Sequence, residues 1–223
     1  MNEAPKAWIV FLSKLISESS DRDQADPLLL NDQDIAADIR DYIGAQLHSF
    51  DSPQILVLDL GGSAYTPLAL QELILPLAQR IRGGEYGIMR LFISTSNPGV
   101  GNYVRYMAQA HELPLYVSPS PNIWEGHPVG SLTETQRGTL ETIIAFGGRV
   151  TASSLAAIDS IRPSAATNRL VNLDREGYLL RQPRGRREGD FYFEPRSATA
   201  TPKVFEGPLV IRKNTTGPTR DVW

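Results

Sequence analysis

The sequence predicts an α/β domain followed by a smaller helical module that closes in a hairpin. Three observations carry this. Up to residue 118, short apolar runs alternate with amphipathic stretches at helical spacing, the pattern of a largely parallel sheet with crossover helices. From 118 to 131, SPSPNIWEGHPVGS holds three prolines and two glycines without periodicity and reads as a linker. Beyond 131 the order becomes helix, helix, helix, hairpin. The expected division is 1–118 for the α/β domain, 119–130 for the linker, 131–196 for the second module, and 197–223 for an arm or flexible tail.

In chain order, AWIVFLSKLI (7–16) fits an edge strand or a short helix, and periodicity does not decide between them. DIAADIRDYIGAQLHSF (34–50) sets Ile35, Ile39, Ile43 and Leu47 four apart on one helical face. QILVLDL (54–60) is a buried strand. ALQELILPLAQRI (69–81) is a helix with Pro67 suited to its first turn, while Pro76 in its interior predicts a kink or an early stop. IMRLFIS (88–94) is a second buried strand, NYVRYMAQAHE (102–112) a third helix, and LPLYVS (113–118) a last strand. In the second module, Thr133 and Gln136 have capping-box spacing ahead of Leu140, Ile143 and Ile144, and Gly147-Gly148 end that helix. Thr151 caps a short helix with Leu155 and Ile158. After the turn IRPS, helix 164–176 turns Leu170 and Leu173 inward. Gly177 ends it, YLLRQ and FYFEP pair as strands, and PRGRREGD forms the tip. In the tail, KVFEGPLVIRK is strand-like.

TASSLAAI, DSIRPSAAT, NRLVNLDREGYLLRQ and the arginine-tipped hairpin give 131–196 an order that resembles a winged helix-turn-helix domain of MarR-like bacterial regulators. The resemblance implies binding to double-stranded DNA, with the start of helix 164–176 in the major groove. Ser164, Ala165, Thr167 and Asn168 would then face base edges, Asn168 suiting an adenine. Arg169 and Asn172 would take phosphate or base contacts. Arg184, Arg186 and Arg187 at the tip suit phosphate oxygens or the minor groove. Such domains reach affinity through two half-sites, so a homodimer is expected. The same fold also serves protein binding, which leaves an interaction adaptor as the alternative.

Over 28–118, ILVLDLGGSAYTPLALQELI and LFISTSNPGVGNYVRYMAQAHELPLYVSP resemble a STAS domain. The resemblance implies a module for sensing, dimerisation or partner binding. The phosphorylated serine of the family's anti-sigma-factor antagonists aligns, counted from Asp59, with Pro67-Leu68-Ala69-Leu70. That phosphoacceptor is therefore absent, and Ser63 and Thr66 are hydroxyls nearby but unmatched. NPGVGN (97–102) lies between a strand and a helix. Through Asn97, Gly99, Gly101 and Asn102 its backbone could cradle an anion, which makes a nucleotide or phosphate sensor the third reading. It is not a full dinucleotide or P-loop motif. The default for such a stretch is a strand-to-helix turn.

Composition narrows the function further. The chain has 223 residues, 41% hydrophobic and 21% charged, with no cysteine. Disulfides, zinc ribbons and thiol catalysis are excluded. Histidines 48, 111 and 127 lack ligand spacing, Asp21, Asp23 and Asp26 lack EF-hand spacing, and Asp59 has no partner carboxylate in sequence. No metal, cofactor or enzymatic activity is expected. The apolar run Trp8–Leu12 is too short for a membrane span, and Glu3 argues against a signal peptide, so the expectation is a cytoplasmic protein. Basic residues number eight against fifteen acidic over 1–130, ten against eight over 131–196, and four against two over 197–223. The net charge of −3 thus hides an acidic front and a mildly basic back, as for two modules with different partners. Together these observations favour a DNA-binding transcriptional regulator.

Overall fold

The computed structural model describes residues 6–19, 33–49, 54–182, 190–197, 199–202 and 209. In chain order they form β1 (Lys6–Phe11), α1 (Leu12–Ser19), α2 (Gln33–Ser49), β2 (Ile55–Asp59), α3 (Pro67–Arg82), β3 (Arg90–Ser94), α4 (Pro98–Ala110), β4 (Leu115–Ser118) and β5 (His127–Val129). There follow α5 (Glu134–Ala145), β6 (Arg149–Thr151), α6 (Ala152–Ile158), α7 (Pro163–Arg175), β7 (Leu180–Gln182), β8 (Phe191–Phe193) and β9 (Thr199–Pro202). The architecture is mixed α/β. A six-stranded sheet runs in the order β5-β4-β3-β2-β1-β9, and a three-stranded antiparallel sheet in the order β6-β8-β7. Among the described residues of the large sheet, only the edge strand β5 is antiparallel.

The order of β1 to β4 explains the rest. Each strand lies beside its predecessor, and parallel crossovers are right-handed, so α2, α3 and α4 all fall on one face. Side chains alternate across the sheet. Val10, Leu56, Leu58, Leu91, Ile93, Leu115 and Val117 join the apolar faces of α2–α4 in one core. Ala7, Ile9, Ile55, Val57, Phe92 and Tyr116 point the other way. They share a second core with Leu140 and Ile143 of α5, Leu155 of α6, and Ala166, Leu170 and Leu173 of α7. The segment 131–196 is therefore the second layer of the sheet, packed on the face its own crossovers leave bare. All five residues of β2 are buried because both faces are covered.

Polar bonds lock this second layer in register. The rings of Phe92 and Tyr116 stack at 4.4 Å. The Tyr116 hydroxyl donates to the Tyr178 carbonyl at 2.8 Å, and the Tyr178 hydroxyl to the Val129 carbonyl at 3.1 Å. Arg196 pairs with fully buried Glu194 at 2.8 Å and donates to the Gly126 carbonyl at 3.0 Å. Gly130 sits at φ +110°, where a Cβ would lie 2.5 Å from the Leu113 carbonyl oxygen and 2.6 Å from the Tyr178 hydroxyl. Only glycine fits that approach.

Several expectations are corrected. The opening stretch is both alternatives in turn, strand then helix, and β1 lies between β2 and β9 rather than at an edge. Residues 119–130 hold a 3-10 turn, Ile123–Glu125, and the strand β5, so they are structured chain rather than a free linker. The start of the tail is β9, which pairs with β1 from Lys6↔Thr199 to Ile9↔Pro202. Of KVFEGPLVIRK only Leu209, buried in the α2–α4 core, lies inside the described residues. Helix α3 runs through Pro76 without stopping. Pro76 has no N–H for the Glu72 carbonyl, and Arg40 of α2 supplies the missing donor at 3.2 Å. No helix among the described residues is long and apolar enough to cross a membrane.

Candidate nucleic-acid interface

The unit α6–α7 is set up by local chemistry. Thr151 and Ser154 form a reciprocal capping box at the start of α6, with bonds of 3.1 and 2.8 Å. Ser160, at φ +53°, turns the chain, and Pro163 takes the first helical position of α7. No side chain caps α7, whereas Thr66, Asn97, Thr133 and Thr151 cap α3, α4, α5 and α6. The inward stripe of α7 is Ala166, Leu170 and Leu173, all fully buried. The outward stripe is Ser164, Thr167, Asn168, Val171, Asn172 and Arg175, all exposed.

The sequence-predicted positions separate on this frame. Ser164 and Asn168 stand exposed on the outer face, and Ala165 is half-buried at its flank. Thr167 is exposed, but its hydroxyl donates back to the Pro163 carbonyl at 2.9 Å. Asn172 accepts from Arg175 at 3.1 Å. Arg169 does not join the outer face. It turns back to Asp159 at 3.1 Å and ties α7 to the end of α6. Arg184, Arg186 and Arg187 lie outside the described residues. Sequence reasoning passed over Val171 and Arg175. The spacing from Asn168, three and seven residues on, places both on its stripe.

The far end of α7 is fixed by the sheet. Arg90, at the start of β3, donates Nε to the Leu179 carbonyl at 2.9 Å, and Nη2 to the Asp174 carbonyl and carboxylate at 3.1 Å each. Burial lowers the pKa of Arg90, an effect partly offset by Asp174. Burial likewise raises that of Asp174 against the pull of Arg90. Gln136 of α5 bonds to Glu176, and Gly177 at φ +93° lets the turn close on Pro114, where a Cβ would meet the ring at 2.8 Å. The helix is held at both ends and in the middle, so its outer face is a rigid surface.

The anion cradle proposed for NPGVGN is filled by the chain itself. The Asn97 side chain accepts from the amides of Gly99 at 3.0 Å and Val100 at 3.4 Å, and the Asn97 carbonyl takes the Gly101 amide at 3.0 Å. Gly101 is buried within α4, and Asn102 accepts from Arg105 at 3.1 Å. Asp59 accepts from the Ser94 hydroxyl at 2.8 Å and the Gly61 amide at 3.3 Å, which makes it a loop anchor. Thr66 caps α3, and the Ser63 carbonyl accepts from Asn97. No group of three metal-ligating side chains occurs among the described residues. No known protein family, curated protein or solved structure matches the chain.

Proposed function

We propose that the protein is a DNA-binding regulator. In this reading α5–β6–α6–α7–β7–β8 is a winged helix-turn-helix, and α7 enters the major groove. The observation that carries it is the outer stripe of α7: small and polar side chains around Asn168, presented on a helix whose other face is fully buried. Asn168 suits a bidentate contact to adenine, and Val171, 37% exposed, suits a thymine methyl group. Arg162, Arg175 and the uncapped start of α7 suit phosphate oxygens, as do Arg184, Arg186 and Arg187 in the segment joining β7 to β8. The α/β layer serves sensing, dimerisation or partner binding in the manner of a STAS-like module, and two copies of the chain reach paired half-sites.

Selection of bound duplexes from a random pool, at two salt concentrations, tests the reading. Enriched sites are expected, with binding that weakens as salt rises. Replacing Arg184, Arg186 and Arg187 by alanine should reduce the salt slope by about three if all three meet phosphates. Replacing thymine by uracil in the selected site removes only methyl groups. It should weaken the parent protein and leave Val171→Ala unaffected. Absence of binding to any duplex at low salt overturns the reading.

A second reading, an interaction adaptor, has one observation in its favour. Arg169, Arg181 and Arg196 are paired with Asp159, Asp190 and Glu194, so much of the positive charge in 131–196 is neutralised at home. A protein partner that competes for the outer face of α7, with no duplex binding, would establish it.

A further inference from the structure

At the amino-terminal end of the large sheet the two layers meet around a crevice of about 220 Å³. It opens between the end of α3, the turn into β3 and the end of α7, so both layers wall it. Its inner side is the Arg90–Asp174 pair. Ile81, Met89 and Pro114 make apolar wall, and Ile88 lines it while remaining 62% exposed. Arg82 and Arg175 line the remainder and are exposed.

The charges of this lining do not cancel. Asp174 is engaged by Arg90 and Glu176 by Gln136, so three arginines face two acids and one positive charge is in excess. Arg82 gives Nη1 to the Glu112 carbonyl at 3.0 Å, and Arg175 gives Nη2 to Asn172 at 3.1 Å. A guanidinium carries five N–H donors, so both arginines, which line the crevice, retain donors beyond these bonds. One excess charge, planar two-point donors and an exposed aliphatic wall define a monoanion with a flat two-oxygen head and an apolar body. The volume is that of about seven liquid waters, which suits a whole molecule of roughly ten heavy atoms or fewer.

We infer that this crevice is a binding site for a small aliphatic carboxylate, held by Arg82 and Arg175 with its chain against Ile88. The bound molecule touches Asp174 to Gly177, the residues through which the sheet pins α7, and so stiffens that junction. The site shares Arg175 with the duplex contact proposed above, and titration of the chain without DNA reads the crevice alone.

The test is calorimetric titration of the whole chain with butanoate, hexanoate and octanoate, and with hexanamide as the uncharged isostere. A ligand of this size binds in the millimolar to micromolar range. Hexanamide should bind at least about tenfold more weakly than hexanoate, having lost the charge-assisted contact. Arg82→Met and Ile88→Asp should each weaken hexanoate by about tenfold, with unchanged circular dichroism because both side chains are exposed. Hydrogen exchange should slow at residues 174–178 on binding. Heat from none of the carboxylates, equal binding of acid and amide, or undiminished binding in both variants would overturn the site.

Discussion

The two faces of the large sheet are covered in different ways. On one, α2, α3 and α4 pack through a nearly continuous aliphatic core, and each helix is joined to the strands it covers. On the other, α5 to α7 arrive from farther along the chain and are fixed by directional bonds. Arg90, Tyr116 and Arg196 each donate to a backbone carbonyl 62 to 89 residues away. Connectivity and crossover handedness already place the first layer, so apolar packing suffices. Nothing in connectivity places the second, and buried donors with fixed geometry set its register. The second layer carries the outer face of α7, on which the proposed duplex contact rests.

The largest expected effect is at the apolar centre of the second face. Phe92→Ala removes the ring stacked on Tyr116 and should cost about 3–5 kcal/mol, measured by urea unfolding. Because the strands share both cores, the parent should unfold in a single transition by fluorescence and circular dichroism alike. Two separated transitions would break the comparison, showing the second layer to be an independent domain. Next in size is Arg90→Met. It takes the guanidinium donor from the Leu179 carbonyl and the ion-pair partner from the Asp174 carboxylate, an expected loss of about 2–4 kcal/mol. Adding Asp174→Asn should recover part of that loss, since the unpaired carboxylate is then gone.

The same contrast separates what was legible in the sequence from what was not. The first face was readable, because short continuous apolar runs mark buried strands, helical apolar spacing marks the helices between them, and their alternation implies a parallel sheet. The caps at Thr133 and Thr151 were readable too, being contained within four residues. The start of α4 was misplaced by four residues, although Asn97-Pro98 is an N-cap followed by a first-turn proline. The same cap fills the anion cradle that NPGVGN suggested. Strands β5, β6 and β9 were missed because three or four residues carry no periodicity, and their partners alone define them. For α7 the outer polar stripe was legible, but the Arg169–Asp159 pair was not. It crosses a turn and depends on how the two helices are angled.

On the first face the test is smaller and concerns one carbonyl. Pro76 withdraws the donor that the Glu72 carbonyl needs, and Arg40 supplies it from α2. Arg40→Met should cost about 1–2 kcal/mol in the parent. In a Pro76→Ala background the helix regains its own N–H, so the same change should cost less, a coupling readable from a double-mutant cycle in urea. Equal costs in both backgrounds would mean that Arg40 acts only through its ion pairs with Asp41 and Glu72.

The smallest effect expected is in the pH dependence of the second face. Glu194 is fully buried, and burial raises its pKa above 4.5 despite the pull of Arg196. The folded protein therefore holds this proton at pH values where the unfolded chain has released it. Stability contributed by the neutral acid is fully present below 4.5 and is lost as pH rises through the raised value. Glu194→Gln has no proton to lose. The stability of the parent relative to Glu194→Gln should accordingly fall between the acid range and neutrality, followed by urea melts at several pH values. A difference that instead grows with pH would show that Arg196 outweighs desolvation and that the buried pair itself holds the second layer, which would sharpen the contrast between the two faces.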